Sequence, residues 1–391
     1  MAIRVLLLVT DLEVGGAPLV VKDLACGLAE EEGFHVEVAC LAGAGPIAAE
    51  LRQTGIAAHC LGARGPWDAR VFYRLARLIA HLQPHVLQCA LMHANLAGRV
   101  IGRLLSVPHV VAGIHTPEKG KRWHLVLENL TARLSDVTVC ISPSVQRHVR
   151  CHAHLPASHL VVIPNGIDVL RLAAAPPAPL ADLHLDPSRR TVLFVGRLDP
   201  VKAVDVLLHA LVPVLARHDA QLLIIGDGPE RPRLEQLAGR LQLGGRVCFA
   251  GTRRDVPNWL KAADLFILPS RWEGLGVAAL EAMAAGLPVI ASRTDGLVDL
   301  IEHERTGLLV APDDPAALAA AIVSLLDDPD RARRLSQAAQ ARAAHAFCRR
   351  TMIAAYADLY RRLLCRPRSH SACCPPLAVD NAPQASAGRA C

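Results

Sequence analysis

Aromatic side chains are scarce in this chain, 3% of 391 residues, so Leu, Val, Ile and Ala must do the packing. With 52% apolar residues they suffice for more than one core, and at this length two domains are expected. Long charge runs are also missing. The formal net charge is +6, without the block of five or six basic residues that nucleic-acid arms carry, which argues against a nucleic-acid partner. No apolar stretch reaches the ~20 residues a membrane helix needs before Pro, His, Asn or a charge interrupts it. The opening run Ile3 to Thr10 is broken by Asp11 and Glu13 and is too short and too poorly flanked for a secretory signal. These absences predict a cytoplasmic protein. There is no G-x-G-x-x-G fingerprint of dinucleotide binding, no repeat of fixed 20 to 50 residue period, and no Asp-x-Asp constellation at a strand end that would call for a metal.

Twelve cysteines are present, spread over strands and helices without a repeating spacing. They read as small, reduced, buried hydrophobes rather than a disulfide framework. Cys373, Cys374 and Cys391 fall in a tail rich in Pro, Ala and Ser, and residues 365 to 391 are expected to be disordered. A metal site from Cys365, Cys373 and Cys374 would lack a paired spacing.

What the chain does have is alternation. Short apolar runs such as "IRVLLLV", "VLQCALM", "TVLFVGRL" and "LFILPS" alternate with helical patterns from end to end, which predicts parallel sheets with crossover helices. A proline-rich stretch with Pro176, Pro177, Pro179 and Pro187 separates two such series. The predicted organisation is α/β: a Rossmann-like domain over 1 to 168, a linker over 169 to 190, a second Rossmann-like domain with terminal helices over 191 to 364, and a tail. Two doubly wound domains joined once leave a central cleft, and ligands of such sheets bind beyond the carboxyl ends of the strands.

Four strand-to-helix turns carry unusual residues. Gly15 and Gly16 follow the first strand, ahead of Pro18, in a turn that reads equally as a flexible loop or as a close backbone approach to a ligand. Arg197 and Lys202 in "VGRLDPVKAVDVLLHAL" flank the start of a helix, where cations oppose the dipole, so an anion such as a diphosphate is preferred over a solvated pair. Gly226 and Gly228 around Asp227 suit a tight turn, with Gly226 in a supporting role. In "RWEGLGVAALEAMAAGLPVIAS", Glu273 precedes Gly274, Leu275 and Gly276, and Glu281 lies more than a turn inside an alanine-rich helix. An unpaired buried carboxylate is costly. Sugar hydroxyls would satisfy it, and so would solvent or an arginine such as Arg271.

Together the motifs "GGAP", "VIPNGID", "GRLDPVKAVDVLLHAL", "IIGDGPERPRLE", "ADLFILPSRWEGLGVAALEAMAAGLPVIAS" and "GLLVAPDDPAALA" resemble the retaining GT-B glycosyltransferases of family four, from about residue 4 to residue 345. The resemblance implies a GT-B fold and transfer of a hexose or N-acetylhexosamine from a nucleotide-diphosphate sugar, UDP by default, to an acceptor hydroxyl. Polysaccharide, lipopolysaccharide or glycolipid synthesis is the implied setting. Carried over by position, it implies that Glu281 holds the ribose hydroxyls and that Arg197 and Lys202 bind the diphosphate. Gly274, Leu275 and Gly276 would offer backbone amides, Glu273 would accept from the sugar, and Gly15 and Gly16 would approach the diphosphate. His115, in "VVAGIHTPEKG", matches a position where family members often carry a histidine near the reacting sugar, and His93 is a second candidate. His115, Arg197, Lys202 and Glu273 form the implied catalytic set. The family attributes retention to front-face attack guided by the donor's phosphate, with the two cations stabilising the leaving group, so no cofactor or metal is expected.

The chain departs from the pattern in "SRTDGLVDLI", which has one glycine and Asp299 where the family has a glycine pair and a glutamate, and at Pro18, where many members have a charge. Lys119, Lys121 and Arg122 suit either a solvated loop or an anionic membrane surface carrying a lipid-linked acceptor, with the protein peripheral at the inner membrane face. Other readings are a sugar-nucleotide epimerase or a phosphorylase of the same fold, or a nucleotide-sugar-binding protein without turnover.

Overall fold

The computed structural model describes residues 2–65, 68–115, 122–152 and 154–365. Its contacts divide the described residues into two units, 2–166 with 349–365, and 167–348. The first unit runs β1 (Ile3–Val9), α1 (Gly16–Glu30), β2 (Phe34–Cys40), α2 (Pro46–Gln53), β3 (Ala58–Cys60), α3 (Ala69–Leu82), β4 (Val86–Ala90), α4 (Met92–Leu104), β5 (His109–Ile114), α5 (Arg122–Ala132), β6 (Val137–Cys140), α6 (Pro143–His152) and β7 (Leu160–Val162). Its seven strands are parallel, in the order β3-β2-β1-β4-β5-β6-β7. β4 is buried at every position, as expected of a strand covered on both faces. On one helical layer, Arg99 is fully buried and bonds Glu128 at 2.5 Å and Thr131 at 3.2 Å, tying α4 to α5.

The second unit runs α7 (Val169–Ala174), β8 (Arg190–Val195), α8 (Val204–Leu215), β9 (Ala220–Ile225), α9 (Arg231–Arg240), β10 (Val247–Phe249), α10 (Val256–Ala262), β11 (Leu265–Leu268), α11 (Val277–Ala285), β12 (Val289–Ser292), α12 (Asp295–Leu300), β13 (Leu308–Val310), α13 (Pro315–Asp327) and α14 (Pro329–Ala346). Six parallel strands follow the order β10-β9-β8-β11-β12-β13. Local chemistry sets the helix ends. Asp314 and Asp328 accept from the N–H groups of Ala317 and Arg331, each at 2.9 Å, with a proline at the first helical position. Gly286 closes α11 at φ 85°.

The domain boundaries differ from the sequence reading in two ways. The stretch 169 to 190, expected as a linker, begins with α7, which packs on α11 and so belongs to the second unit. The final helix, α15 (Arg349–Cys365), belongs to the first unit. Met352, Ile353, Tyr356, Tyr360 and Leu363 are buried in the core formed by β1, β2 and α1. Gly27 of α1 lies so close that a Cβ there would meet Ile353 Cδ1 at 1.9 Å. Helical periodicity reveals such a helix but not which sheet it covers. β3, three residues long, was not among the strands expected. The tail cysteines Cys373, Cys374 and Cys391, with Lys119 and Lys121, lie outside the described residues.

Candidate active site

In the second unit the strand order reverses between β8 and β11, and the turns leaving these two strands lie at their carboxyl ends, where ligands of such sheets bind. Both turns carry candidates. After β8 the chain passes Arg197 and forms a short 3-10 turn, Pro200–Lys202. Lys202 thus stands just ahead of α8 rather than inside it, and Ala203 reaches the helix through a left-handed φ of 50°. After β11 it passes Ser270, Arg271 and Glu273 before α11 begins behind Gly276.

These turns meet at Glu273. Lys202 Nζ donates to Glu273 Oε1 at 2.5 Å, and Ser270 Oγ donates to the same oxygen at 2.8 Å. Glu273 is 9% exposed, so the pair is charge-assisted and largely removed from water. An ammonium has three donors, so bonding Glu273 leaves Lys202 capacity for a ligand anion. Arg271 fastens the same turns from behind. Its backbone N–H bonds Val201 O at 2.8 Å, and its guanidinium reaches the Pro200 carbonyl, Asp205 and, at 2.8 Å, Asp313. Sequence reasoning missed Ser270, three residues before Glu273, and considered Arg271 only as a partner for Glu281, because its cross-turn contacts leave no spacing signal.

Arg197 points outward. Its side chain is 72% exposed, with Asp199 at 3.8 Å. Glu281 is half-buried, five residues into α11, while Ala279, Leu280, Ala282, Met283, Ala284 and Ala285 around it are buried. Leu275 is 2% exposed. The single glycine of the β12 to α12 turn has a defined place: Gly296 N–H bonds Glu273 O at 3.2 Å, and a Cβ on Gly296 would stand 2.4 Å from the Gly274 carbonyl. That one glycine is the one the backbone crossing requires. Gly226, at φ 134°, extends β9 in a single bridge to Gly251 rather than forming a turn, and Leu198 N–H bonds Asp227 O at 3.0 Å beside it.

In the first unit the strand order reverses between β1 and β4. After β1, Gly15 is the extended N-cap of α1 and Gly16 its exposed first residue, so the helix starts two residues ahead of Pro18, and no side chain caps it. After β4 the chain turns through Leu91 at a left-handed φ of 74°, and half-buried His93 follows in the first turn of α4. His115, immediately after β5, is 9% exposed, and among the described residues its Nδ1 has no partner. Burial pushes its pKa down to about 4, so it is a neutral imidazole near pH 7. Behind it, buried Asn95 grips both sides of Gly113, donating to its carbonyl at 3.0 Å and accepting from its N–H at 3.3 Å. Tyr360 OH donates to Gln88 Oε1 at 3.1 Å, carrying α15 into the same polar core.

Two parallel doubly wound units, with a cation and a carboxylate joined at a switch point, define the class of GT-B glycosyltransferases. The family model described as Glycosyl transferases group 1 matches residues 189–328, and that of Glycosyltransferase Family 4 matches residues 14–171. The chain is 34% identical over 275 residues to the GDP-mannose-dependent alpha-(1-6)-phosphatidylinositol monomannoside mannosyltransferase of Mycobacterium tuberculosis, covering 66% of this chain and 71% of that protein. It is 32% identical over 227 residues to the lipopolysaccharide core biosynthesis mannosyltransferase LpsB of Rhizobium meliloti, covering 55% and 64%. Among solved structures, HepE of Anabaena in complex with UDP and glucose superposes with a TM-score of 0.82 at 25% identity, covering 92% of this chain and 100% of that one. The chain spans just under two thirds of the length of the Rhizobium relative it matches. It belongs to the family-four, group 1 glycosyltransferases. Among the described residues, no helix is long and apolar enough to cross a membrane.

Proposed function

We propose that this protein is a retaining glycosyltransferase that moves a hexose or N-acetylhexosamine from a nucleotide-diphosphate sugar, UDP by preference, to an acceptor hydroxyl in lipopolysaccharide or glycolipid synthesis. The observation that carries the reading is the Lys202–Glu273–Ser270 cluster at the β8/β11 switch point. Lys202 neutralises charge developing on the leaving diphosphate without a metal, the kind of preorganised electrostatic help that dominates many rate enhancements. Glu273, held in place by Ser270, accepts from sugar hydroxyls. Gly274, Leu275 and Gly276 present backbone N–H groups at the start of α11. Glu281 takes the ribose hydroxyls. Arg197 is free in its exposed position to swing onto phosphate. In the first unit, the Gly15–Gly16 backbone and neutral His115 are the donor contacts that the family resemblance implies.

The UDP preference is supported by the HepE complex with UDP and glucose, and the glycolipid setting by relatives such as LpsB. The experiment is incubation with a panel of nucleotide sugars, with nucleoside diphosphate release and the product's anomeric configuration by NMR as readouts. Acceptor-dependent release with retained configuration supports the reading. Release that requires inorganic phosphate indicates a phosphorylase, and an inverted product overturns retention.

A further inference from the structure

Two cysteines stand side by side at the carboxyl edge of the first sheet. Cys40 closes β2, Cys60 closes β3, and they are direct register partners on adjacent parallel strands. Neighbouring strands run ~4.8 Å apart, inside the ~4.4–6.8 Å Cα separation that disulfides span. Partners in register project to the same face, so the two thiols are neighbours. Cys40 is fully buried, whereas Cys60 is half-buried, and exposed Arg52 donates to its sulfur at 3.8 Å.

We propose that Cys40 and Cys60 form a thiol–disulfide exchange site that reacts with small acidic disulfides of the oxidised-glutathione class. Cys60, the accessible sulfur with a cation beside it, attacks the small disulfide as its thiolate. A bond forms between Cys60 and one half of the reagent, and the other half leaves as a thiolate. Cys40 then attacks Cys60 of this mixed disulfide; the Cys40–Cys60 bond forms, and the second small thiol leaves carrying the Cys40 proton. Two protein thiols are oxidised and one small disulfide is reduced to two thiols. Burial and the neighbouring Cys60 push the Cys40 thiol up, which suits it to the second, resolving step rather than the first.

The bond would be felt in the loops above the sheet. Cys40 Sγ donates to Ala42 O at 3.5 Å and Gly43 O at 3.6 Å, and both bonds are lost on oxidation. The same loop is stitched to the end of β1 through Leu41 N–H to Val9 O and Ala42 N–H to Thr10 O, and Gly45 lies against the Leu12 carbonyl. Oxidation therefore loosens the loop that packs against the turn leading to Gly15 and Gly16.

The test is treatment of the folded full-length protein with oxidised glutathione, trapping with an alkylating reagent, and peptide mapping by mass spectrometry. The expected result is a Cys40–Cys60 cross-linked peptide that disappears on reduction. Cys60→Ser leaves Cys40 unmodified, and Cys40→Ala stops at a single glutathione adduct on Cys60. Should Cys40→Ala fold poorly, seen in its thermal midpoint, the wild-type map alone decides. Cys40 and Cys60 recovered reduced, while other cysteines carry the adducts, would overturn the proposal whatever the enzyme's substrate proves to be.

Discussion

His115 makes the first unit sensitive to acid, and the size of the effect follows from its burial. Desolvation lowers its pKa from 6.5 to about 4, and among the described residues its Nδ1 has no partner to hold an added proton. Unfolded, the imidazole binds its proton near the ordinary value. Between pH 6.5 and 4 the unfolded chain is therefore protonated at this position while the native one is not, and stability falls as pH falls. The interval is about 2.5 in pKa, and at ~1.36 kcal/mol for each unit the loss at pH 4 comes to ~3 kcal/mol. Above pH 6.5 the residue makes no pH-dependent contribution. In His115→Phe the site no longer titrates. Urea unfolding of both proteins at pH 7, 6, 5 and 4, at constant ionic strength, should show the wild type losing ~3 kcal/mol more than the variant by pH 4. His85 and His159 are also held below the ordinary histidine value, mainly by burial, but they are common to both proteins and cancel. Parallel stability curves would refute the assignment of His115 as a buried neutral imidazole.

Lys202→Ala should lower kcat/KM by ~10²-fold or more with the fold intact, because it removes a cation from the leaving group; wild-type turnover in steady-state assays would remove the diphosphate role. Glu273→Gln keeps the volume but weakens the bonds from Lys202 and Ser270, so KM for the donor should rise with little change in thermal midpoint. Gly296→Ala forces a Cβ to within 2.4 Å of the Gly274 carbonyl; overpacking of this kind costs ~1–3 kcal/mol, and calorimetric melting should show it along with weakened donor binding. Arg99→Ala strands Glu128 in a buried site, a loss of ~3–5 kcal/mol, whereas replacing both partners with apolar residues should cost far less, a contrast that denaturant titration of the two variants can measure.

Much of the fold was legible because fully covered parallel strands are written as apolar runs, and β1, β4, β8 and β11 all carry that mark. β3 did not, since Ala58–Cys60 is too short to show a pattern. The assignment of α15 was hidden for a different reason. Its buried tyrosines and Met352 declare a helix with a packed face, but tertiary contacts such as Ile353 against Gly27 and Tyr360 OH to Gln88 of β4 say that the face belongs to the first unit. At the site, Lys202 and Glu273 stood out singly, as a cation ahead of a helix and an acid before two glycines. Their direct pairing and the Arg271 fastening join turns 71 residues apart, and no spacing rule reports contacts of that kind; the Ser270 bond, three residues from Glu273, is local but rests on the turn's conformation. Glu281 was conspicuous for its alanine neighbours, yet its half-buried position depends on where α11 emerges from the core.

The central claim is that the second unit grips an activated sugar through its β8 and β11 turns. Isothermal titration of UDP-glucose and related nucleotide sugars into wild-type protein and Lys202→Ala tests it most directly. Saturable binding of at least one donor by the wild type is expected, with a loss of at least ~10-fold in affinity, or ~1.4 kcal/mol, in the variant. Well-folded wild-type protein that takes up none of the donors, or a variant that binds as tightly as the wild type, would contradict it.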